Sequence, residues 1–224
     1  MAIKEDCSKR PVWLLCEGND CYHFFMRVIL KLGMERIYCL DVKGINDKDL
    51  FEEIPNRSNY NNSKVIIYIR DAEYPKNESA NDPSANRFDS IIQSIKSRFA
   101  SISLVVGDKP LELTDNNGKQ VGYIILTDSG GSAGTLENLC LDIAIDKDAV
   151  YDANSTLICV NNNRDYKVNK HMHKRKMNIA FALNKDEKMI GAKTGEAVTY
   201  GGLDLNHERF LLIKSFLTKI NELK

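Results

Sequence analysis

Residues 64–73 read Lys-Val-Ile-Ile-Tyr-Ile-Arg-Asp-Ala-Glu, and this stretch decides the fold class. Its central run, 65–69, contains only apolar and aromatic side chains, with no alternation of polar and apolar positions. Such a run is typical of a strand that is buried on both faces in a parallel sheet. The acidic residues Asp71 and Glu73 follow directly, where the strand is expected to end.

Predicted strands and helices alternate along the chain on both sides of this stretch. Strands are predicted at 12–16, 37–42 and 64–70, and helices at 21–32, 47–54 and 87–100. This order indicates a parallel sheet with crossover helices. The Asn-Gly pair at 117–118 predicts a hairpin that joins 111–114 to 121–126.

The last third of the chain has a helical pattern. Helices are predicted at 135–144, 148–160, 167–183, 194–200 and 207–222. The fold class is therefore predicted as α/β, a mostly parallel sheet flanked by helices, with a helical C-terminal part. Two organisations fit this pattern: an α/β core at 1–145 with a helical region at 146–224 packed on it, or one single domain at 1–224.

Charge and hydropathy exclude several classes of protein. The 31 basic and 31 acidic residues balance, so the chain as a whole is no polycation, and only a local patch would bind nucleic acid. The densest basic patch, 167–176, is also explained as a solvated helix face. No apolar run reaches the about 20 residues of a membrane span, and the first residues have no secretory pattern. We therefore expect a cytoplasmic protein with no membrane partner.

The six cysteines are scattered along the sequence and form no CxxC pair. Zinc ligands in proteins are commonly spaced in such pairs, so a zinc site has little support. Cys16 and Cys39 lie inside predicted strands. The pattern favours reduced thiols over a disulfide framework.

Acidic residues follow two of the predicted strands. Glu17 comes directly after the strand at 12–16, and Asp71 and Glu73 come after the central strand. Because the carboxyl ends of parallel strands lie at one edge of the sheet, where ligands bind, these side chains are expected to converge. Carboxylate oxygens are the ligands that Mg²⁺ and Mn²⁺ prefer. The sequence therefore predicts a metal site at Glu17, Asp71 and Glu73.

Two further acidic residues have two interpretations each. Asp20 either belongs to the acidic turn that begins at Glu17 or is the N-cap of the first helix. Glu137 lies in the first turn of a helix that follows the glycine-rich loop at 130–134. It either complements the helix dipole or is a further metal ligand. The loop itself lacks the Lys-Ser/Thr pair of a nucleotide-binding P-loop, although it would suit a phosphate at the helix N-terminus.

Two lysines are candidates for contact with phosphate. Lys174 and Lys176 lie in the predicted helix at 167–183, whose buried side is formed by Met177, Ala180 and Phe181. Either ammonium group is long enough to reach a phosphate and to stabilise its charge.

The two acidic motifs resemble those of TOPRIM domains, the catalytic fold of topoisomerases, primases and overcoming-lysogenization-defect nucleases. The Glu-Gly turn after a hydrophobic strand is represented by Leu14-Leu-Cys-Glu17-Gly18-Asn-Asp20, and the Asp-x-Asp motif by Ile69-Arg-Asp71-Ala-Glu73. The second motif departs from the family because a Glu stands in place of its second Asp, which keeps the charge but shifts the ligand by about one methylene.

The chain resembles small stand-alone TOPRIM-like proteins of bacteria and archaea more closely than it resembles those enzymes. This similarity extends to Gly134-Thr-Leu-Glu137-Asn-Leu, Lys174-Arg-Lys176 and Gly195-Glu-Ala-Val. It therefore covers most of the chain, although it implies no substrate, and a shared fold does not fix an activity.

The resemblance implies a metal-dependent phosphoryl-transfer protein that acts on nucleic acid, chiefly a Mg²⁺- or Mn²⁺-dependent nuclease. Glu17, Asp71 and Glu73 would hold the metal, or Glu17 would act as general acid or base. Lys174 or Lys176 would stabilise the phosphate. Two alternatives stay open: a non-catalytic nucleic-acid or nucleotide binding module, and an accessory subunit of a defence or repair complex.

Overall fold

The chain forms a five-stranded sheet in the computed structural model, which describes residues 9–41, 53–72, 84–129, 131, 133–163 and 172–223. The strands are β1 (Val12–Cys16), β2 (Ile37–Asp41), β3 (Val65–Asp71), β4 (Thr114–Asn116) and β5 (Lys119–Leu126). Their order is β2-β1-β3-β5-β4, and every pair is parallel except β4 with β5. The predicted α/β class with a mostly parallel sheet is confirmed, and β3 is the central strand.

Seven helices accompany the sheet in the described part of the chain. They are α1 (Asn19–Lys31), α2 (Ser84–Ser101), α3 (Leu136–Asp142), α4 (Lys147–Asn163), α5 (Met172–Ala182), α6 (Thr194–Tyr200) and α7 (Glu208–Glu222). Within the described ranges, none of them is long and apolar enough to cross a membrane.

The predicted helix boundaries hold best in the C-terminal part and differ in two earlier places. The helix α2 begins at Ser84, three residues before the predicted start at 87. Residues 47–52 of the helix predicted at 47–54 lie outside the described residues, as do Val42 and 167–171. The short 3₁₀ helix Ile54–Asn56 contains Pro55, because proline is tolerated in a first helical turn, where its missing N–H is not needed.

The predicted hairpin and its turn are confirmed, but the first strand lies at Thr114–Asn116 instead of 111–114. The strands β4 and β5 pair antiparallel around the turn residues Asn117 and Gly118, whose φ angles are 54° and 90°. Positive φ at both central positions is the geometry of a type I′ turn, which Asn-Gly adopts readily. The short strand β4 forms one edge of the sheet.

Alternate side chains of the strands enter two separate hydrophobic cores. On β3, Val65, Ile67 and Ile69 pack in the core on the α1 face of the sheet. Ile66 and Tyr68 pack on the opposite face with residues of α2. This separation follows from the two-residue period of a strand, and it explains why the sequence of β3 shows no alternation of polarity.

The C-terminal helices pack on the α1 face of the sheet. Phe210 of α7 meets Phe24 of α1 edge to face, with ring centroids 6.0 Å apart. Lys31 at the end of α1 donates from Nζ to the carbonyl oxygen of Val198 in α6, at 2.8 Å. One hydrophobic core therefore contains residues from both sides of position 145, while the predicted division into two regions there stays a prediction.

Gly195 allows the closest approach between α1 and α6. A Cβ atom placed on Gly195 would lie 2.8 Å from the carbonyl oxygen of His23 and 3.0 Å from its carbonyl carbon. Gly195 is buried. A packing requirement of the two helices accounts for the glycine.

We predict that Gly195→Ala lowers the free energy of unfolding by roughly 1–3 kcal/mol, because the added methyl overpacks a helix contact. Alanine in place of glycine normally stabilises a helix by about 0.5–1 kcal/mol, so the expected sign is reversed. Urea unfolding measures the difference. Ser215→Ala, at an exposed position of α7, is the control and is expected to change the free energy by less than about 0.5 kcal/mol. A Gly195→Ala protein as stable as the wild type would contradict the close packing.

Candidate functional site

Glu17 lies beyond the carboxyl end of β1, next to β3. Its backbone N–H donates to the carbonyl oxygen of Ile69 at 3.1 Å, which continues the pairing of the two strands past Cys16. Its Oε2 lies 3.4 Å from Nε of Arg70. Arg70 in turn donates from Nη1 to Oγ of Ser94 on α2, at 3.1 Å. The carboxylate of Glu17 is therefore held by a cation that α2 anchors.

Asp71, the last residue of β3, contacts the first turn of α3. Its Oδ1 accepts a hydrogen bond from the backbone N–H of Leu136 at 2.9 Å. The next residue, Ala72, donates its N–H to the carbonyl oxygen of Leu126 at 2.9 Å. A carboxylate at a helix N-terminus is stabilised by the unpaired amides and by the helix dipole. Asp71 thus fixes where α3 begins relative to the sheet.

The charges of Glu17 and Asp71 both act on one buried thiol, that of Cys21. Burial raises the pKa of Cys21, and the nearby charges of Asp71 and Glu17 add to the rise. Burial also raises the pKa of Cys140, with contributions from Glu137 and Asp71. Each thiol feels acidic residues from two different elements. The acids from β1, β3 and α3 therefore share one electrostatic environment at the carboxyl end of the sheet.

The four thiols beneath this region are buried and reduced. Cys16, Cys21, Cys39 and Cys140 are buried, whereas Cys159 on α4 is exposed. Burial raises the pKa of Cys16 as well, so the neutral thiol is favoured. These residues belong to the core and not to the reactive chemistry of the site.

The N-cap interpretation of Asp20 is wrong. Gly18, with φ of 90°, is the N-cap of α1, and Asp20 lies in the first turn of the helix. A glycine is suited to that position because L-amino acids with a Cβ rarely adopt such a φ. The side chain of Asp20 instead pairs with Lys174 of α5, whose Nζ lies 2.6 Å from Oδ2.

The Asp20–Lys174 pair is exposed to solvent. The side chains are 39% and 49% exposed, respectively. The hydrogen bond to Asp20 raises the pKa of Lys174, so the lysine stays charged. Exposed pairs of this kind contribute only about 0.2–1 kcal/mol. The ammonium group of Lys174 is therefore charged. Breaking its pair with Asp20 to bind an anionic ligand would cost little free energy.

Asn138 connects the start of α3 to α5. Its Oδ1 accepts from the backbone N–H and from Oγ1 of Thr135, both at 3.1 Å. Its Nδ2 lies 2.9 Å from Nδ1 of His173. Because the amide oxygen is already the acceptor for Thr135, the amide nitrogen must face the imidazole. Nδ1 of His173 is then the acceptor, and the neutral ring carries its proton on Nε2.

His173 lies among charges of both signs. Burial lowers the pKa of His173, and the cation of Lys176 lowers it further, while Glu137 and Asp128 act in the opposite direction. The neutral imidazole is therefore favoured at neutral pH. Lys176 and Glu137, two of the predicted site residues, thus both act on the same ring.

The solvated-face interpretation of the basic patch holds for only some of its described residues. Lys174 and Arg175 are exposed, but His173 and Lys176 are partly buried against α3. Met177, Ala180 and Phe181 form the buried side of α5, as predicted. The rest of the patch, 167–171, lies outside the described residues.

Three backbone amides at the start of α3 already have hydrogen-bond partners within the protein. The amides of Thr135 and Leu136 donate to Asn138 and Asp71, and the amide of Asn138 is bonded within the capping box of the helix. Gly134 is instead required for packing, because a Cβ there would lie 2.2 Å from the backbone nitrogen of Asp128. The loop serves to bring α3 close to the end of β5.

The metal site predicted from the sequence is only partly represented in the described residues. Among them, no three His, Cys, Asp or Glu side chains form a group that could hold a metal ion. Glu73, the third expected carboxylate, lies outside the described residues. Glu17 and Asp71 fit a divalent ion in donor chemistry and in their place at adjacent strand ends, but they do not complete a ligand set by themselves.

Two residues of this region had no assigned role in the sequence. Arg70 stands directly before Asp71, and the alternation of a strand sends it to the opposite face, where it reaches Glu17. An arginine directly before the acid that ends one strand, with a second acid at the end of the neighbouring strand, is the sequence signal that could have revealed the Arg70–Glu17 pair. His173 carries no such signal, because its bonding partner Asn138 is 35 residues away in the chain, on a different helix.

One family of known proteins matches the chain. Its model, described as "Protein of unknown function (DUF3226)", matches residues 11–222. The match thus runs from the start of β1 to the end of α7 and includes all the site residues discussed above. No curated protein and no solved structure matches the chain.

We predict that the pKa of His173 responds in opposite directions to two substitutions. Lys176→Met should raise it by removing a nearby cation, and Glu137→Gln should lower it by removing a nearby anion. NMR titration of the imidazole Cε1–H measures both, with His173→Gln to assign the signal.

The lowered pKa of His173 also makes the stability of the fold depend on pH. Because the folded-state pKa of His173 lies below the ordinary value, the unfolded chain binds the proton more tightly, and stability should fall as the pH drops through about 6.5. His173→Gln should reduce this loss. Shifts of the same sign in Lys176→Met and Glu137→Gln would contradict the described environment.

Proposed function

The chain belongs to the DUF3226 family, and we propose that it is a metal-dependent phosphoryl-transfer protein that acts on nucleic acid, namely a nuclease. The observation that carries this proposal is the position of Glu17 and Asp71. They follow the adjacent parallel strands β1 and β3, between which the chain changes direction across the sheet. In open α/β sheets, ligands bind in the crevice at this switch point. The resemblance of both motifs to TOPRIM domains supports the same function.

Glu17, Asp71 and Glu73 would hold Mg²⁺ or Mn²⁺, with Glu137 as a further candidate ligand. When bound, the ion would polarise the phosphodiester and make a nucleophile from water. Contacts within the protein fix the directions of the two described carboxylates. Asp71 is oriented by the amide of Leu136, and Glu17 is oriented by Arg70. Such contacts to ligand side chains set their direction.

The two lysines of α5 would bind the phosphate backbone from different sides of the helix. Lys174 is available from a weak, exposed pair with Asp20. Lys176 lies close enough to His173 to lower its pKa, in the environment shared with Glu137. A cation near a transferring phosphoryl group stabilises the charge that develops there. The chain has no net charge, but these two lysines would place positive charge beside the phosphate of the substrate.

A second function is favoured by a different observation. Both described carboxylates already have protein partners, Arg70 for Glu17 and the Leu136 amide for Asp71. This supports a non-catalytic nucleic-acid or nucleotide binding module. Such a module would hold nucleic acid equally well in the presence of a chelator, whereas a nuclease would need the metal for cleavage.

We predict that Asp71→Asn weakens Mn²⁺ binding by more than about tenfold and abolishes metal-dependent cleavage of nucleic acid. The substitution removes the negative charge but leaves a carbonyl oxygen that still accepts from the Leu136 amide, so the fold should survive. Isothermal titration calorimetry with Mn²⁺ measures the binding. Cleavage is assayed on single- and double-stranded DNA and RNA.

Asp115→Asn is the matched control. Asp115 also accepts one backbone N–H, from Gly118 at 3.2 Å, but it lies in the β4–β5 hairpin. This variant should bind Mn²⁺ and cleave as the wild type does. Cleavage that persists in Asp71→Asn would rule out the proposed site, and nucleic-acid binding that is unaffected by chelator with no cleavage would favour the binding module.

A further inference from the structure

A cavity of ≈ 380 Å³ lies beside the candidate site, among α3, α4, α5 and the segment after β5. It is lined by residues of all four elements, including Asn138, Asn154, His173 and Lys176. Its volume is within the range of about 300–1,000 Å³ that is usual for small-molecule sites. Of the described residues assigned to the proposed phosphoryl-transfer chemistry, Lys176 alone lines this cavity.

Two polar side chains of the cavity, His173 and Asn138, are fixed in direction. His173 and Asn138 are bonded to each other, and Asn138 is also held by Thr135, so neither side chain is free to rotate. Lys176 adds a cation, and Asp128 adds a carboxylate that can accept from an amino or hydroxyl group. This set of fixed donors and acceptors suits a heterocycle with hydrogen-bonding edges better than a simple anion.

The cavity also has an apolar part that is only partly covered by protein. Leu141 is 7% exposed, but Ile158 is 53% exposed, and Leu157 and Met172 are partly buried. Aliphatic side chains of this kind contact the flat face of an aromatic ring, whose burial would remove apolar surface from water. An exposed aliphatic patch beside fixed polar groups is typical of a ligand pocket.

The cavity is close to the candidate site along α3. Leu136, whose amide binds Asp71, and Asn138, which lines the cavity, are two residues apart, or about 3 Å along the helix axis. Lys176 belongs both to the cavity and to the electrostatic environment of Glu137 and His173. A ligand with a ring in the cavity could therefore place a phosphate toward the strand-end carboxylates.

We propose that this cavity binds the base of a single unpaired nucleotide of the substrate. The inference rests on the proposed function, because it assigns the substrate class for the same site: nucleic acid with an unstacked nucleotide, such as a single-stranded end. Bases of an intact duplex are stacked inside the helix and would have to leave it before they could enter a pocket between three helices. Recognition of single-stranded nucleic acid through hydrogen-bonded base edges is common.

The test uses nucleoside 5′-monophosphates as probes in the presence of chelator, which separates the cavity from any metal. Calorimetry or NMR titration with AMP, CMP, GMP and UMP should detect binding of at least one of them, tighter than that of inorganic phosphate. Asn154→Ala and Ile158→Ser should each weaken it by about fivefold or more, through a lost hydrogen bond or lost apolar contact. Both residues are exposed on α4, so the fold should tolerate the changes.

Asn178→Ala is the matched control, because Asn178 is also an exposed helical asparagine but lines a different cavity of ≈ 430 Å³ with Lys174. It should leave the affinity within about twofold. Mononucleotides that bind no more tightly than phosphate, or an Asn178→Ala effect as large as that of Asn154→Ala, would overturn the proposal.

Asp71→Asn distinguishes this inference from the proposed function. Mononucleotide binding that persists in Asp71→Asn and is lost in Asn154→Ala supports the cavity, whether or not the wild type cleaves nucleic acid. If the wild type cleaves in an Asp71-dependent manner but binds no mononucleotide, the base pocket is wrong while the nuclease proposal stands.

Discussion

The hydrogen bond between the amide of Leu136 and Oδ1 of Asp71 joins the central strand to α3, the helix that follows β5. Hydrogen bonds to charged groups contribute about 1.5–3 kcal/mol, more than a typical neutral one. Asn138 lies on the same helical turn, and it orients His173 on α5. The positions of the imidazole and of Lys176 therefore depend on where β3 ends. A change at the strand end would be transmitted to all of these residues.

Because side chains alternate between the two faces of a strand, the last residues of β3 contact different helices. Arg70 and Asp71 are neighbours in the chain, but Arg70 reaches Ser94 of α2 on one face and Asp71 reaches α3 on the other. Because Arg70 also pairs with Glu17, the acids at the ends of β1 and β3 are positioned from opposite sides of the sheet. A shift of one residue in the β1–β3 register would exchange these faces and separate the acids.

Most of the fold could be predicted because its signals are local. The apolar run of β3, the helical spacing of the later segments and the Asn-Gly turn each reflect the geometry of a few consecutive residues. The placement of Glu17 and Asp71 at the carboxyl ends of adjacent strands was also predictable, since it follows from the parallel sheet alone. The start of α2 at Ser84 was not predictable, because the first residues of the helix are polar and directly follow a proline.

The details of the site could not be read from local patterns. Asp20 was expected as an N-cap, but Gly18 takes that position and Asp20 pairs with a lysine 154 residues away. The link from Asn138 to His173 likewise depends on how α3 and α5 pack. Such contacts are set by tertiary packing, which propensity and spacing do not encode. Glu73 stays a prediction from the sequence, since it lies outside the described residues.

The placement of α7 over the α1 face has a consequence for how the chain folds during synthesis. Phe210 packs against Phe24, and Asn221 accepts from the backbone N–H of Arg36 at 3.2 Å, so the first helix meets the last. Until α7 has left the ribosome, the α1 face of the sheet lacks part of its cover. Contacts between such distant segments form slowly, because a long loop must close first. An incompletely covered sheet is the kind of intermediate that chaperones bind.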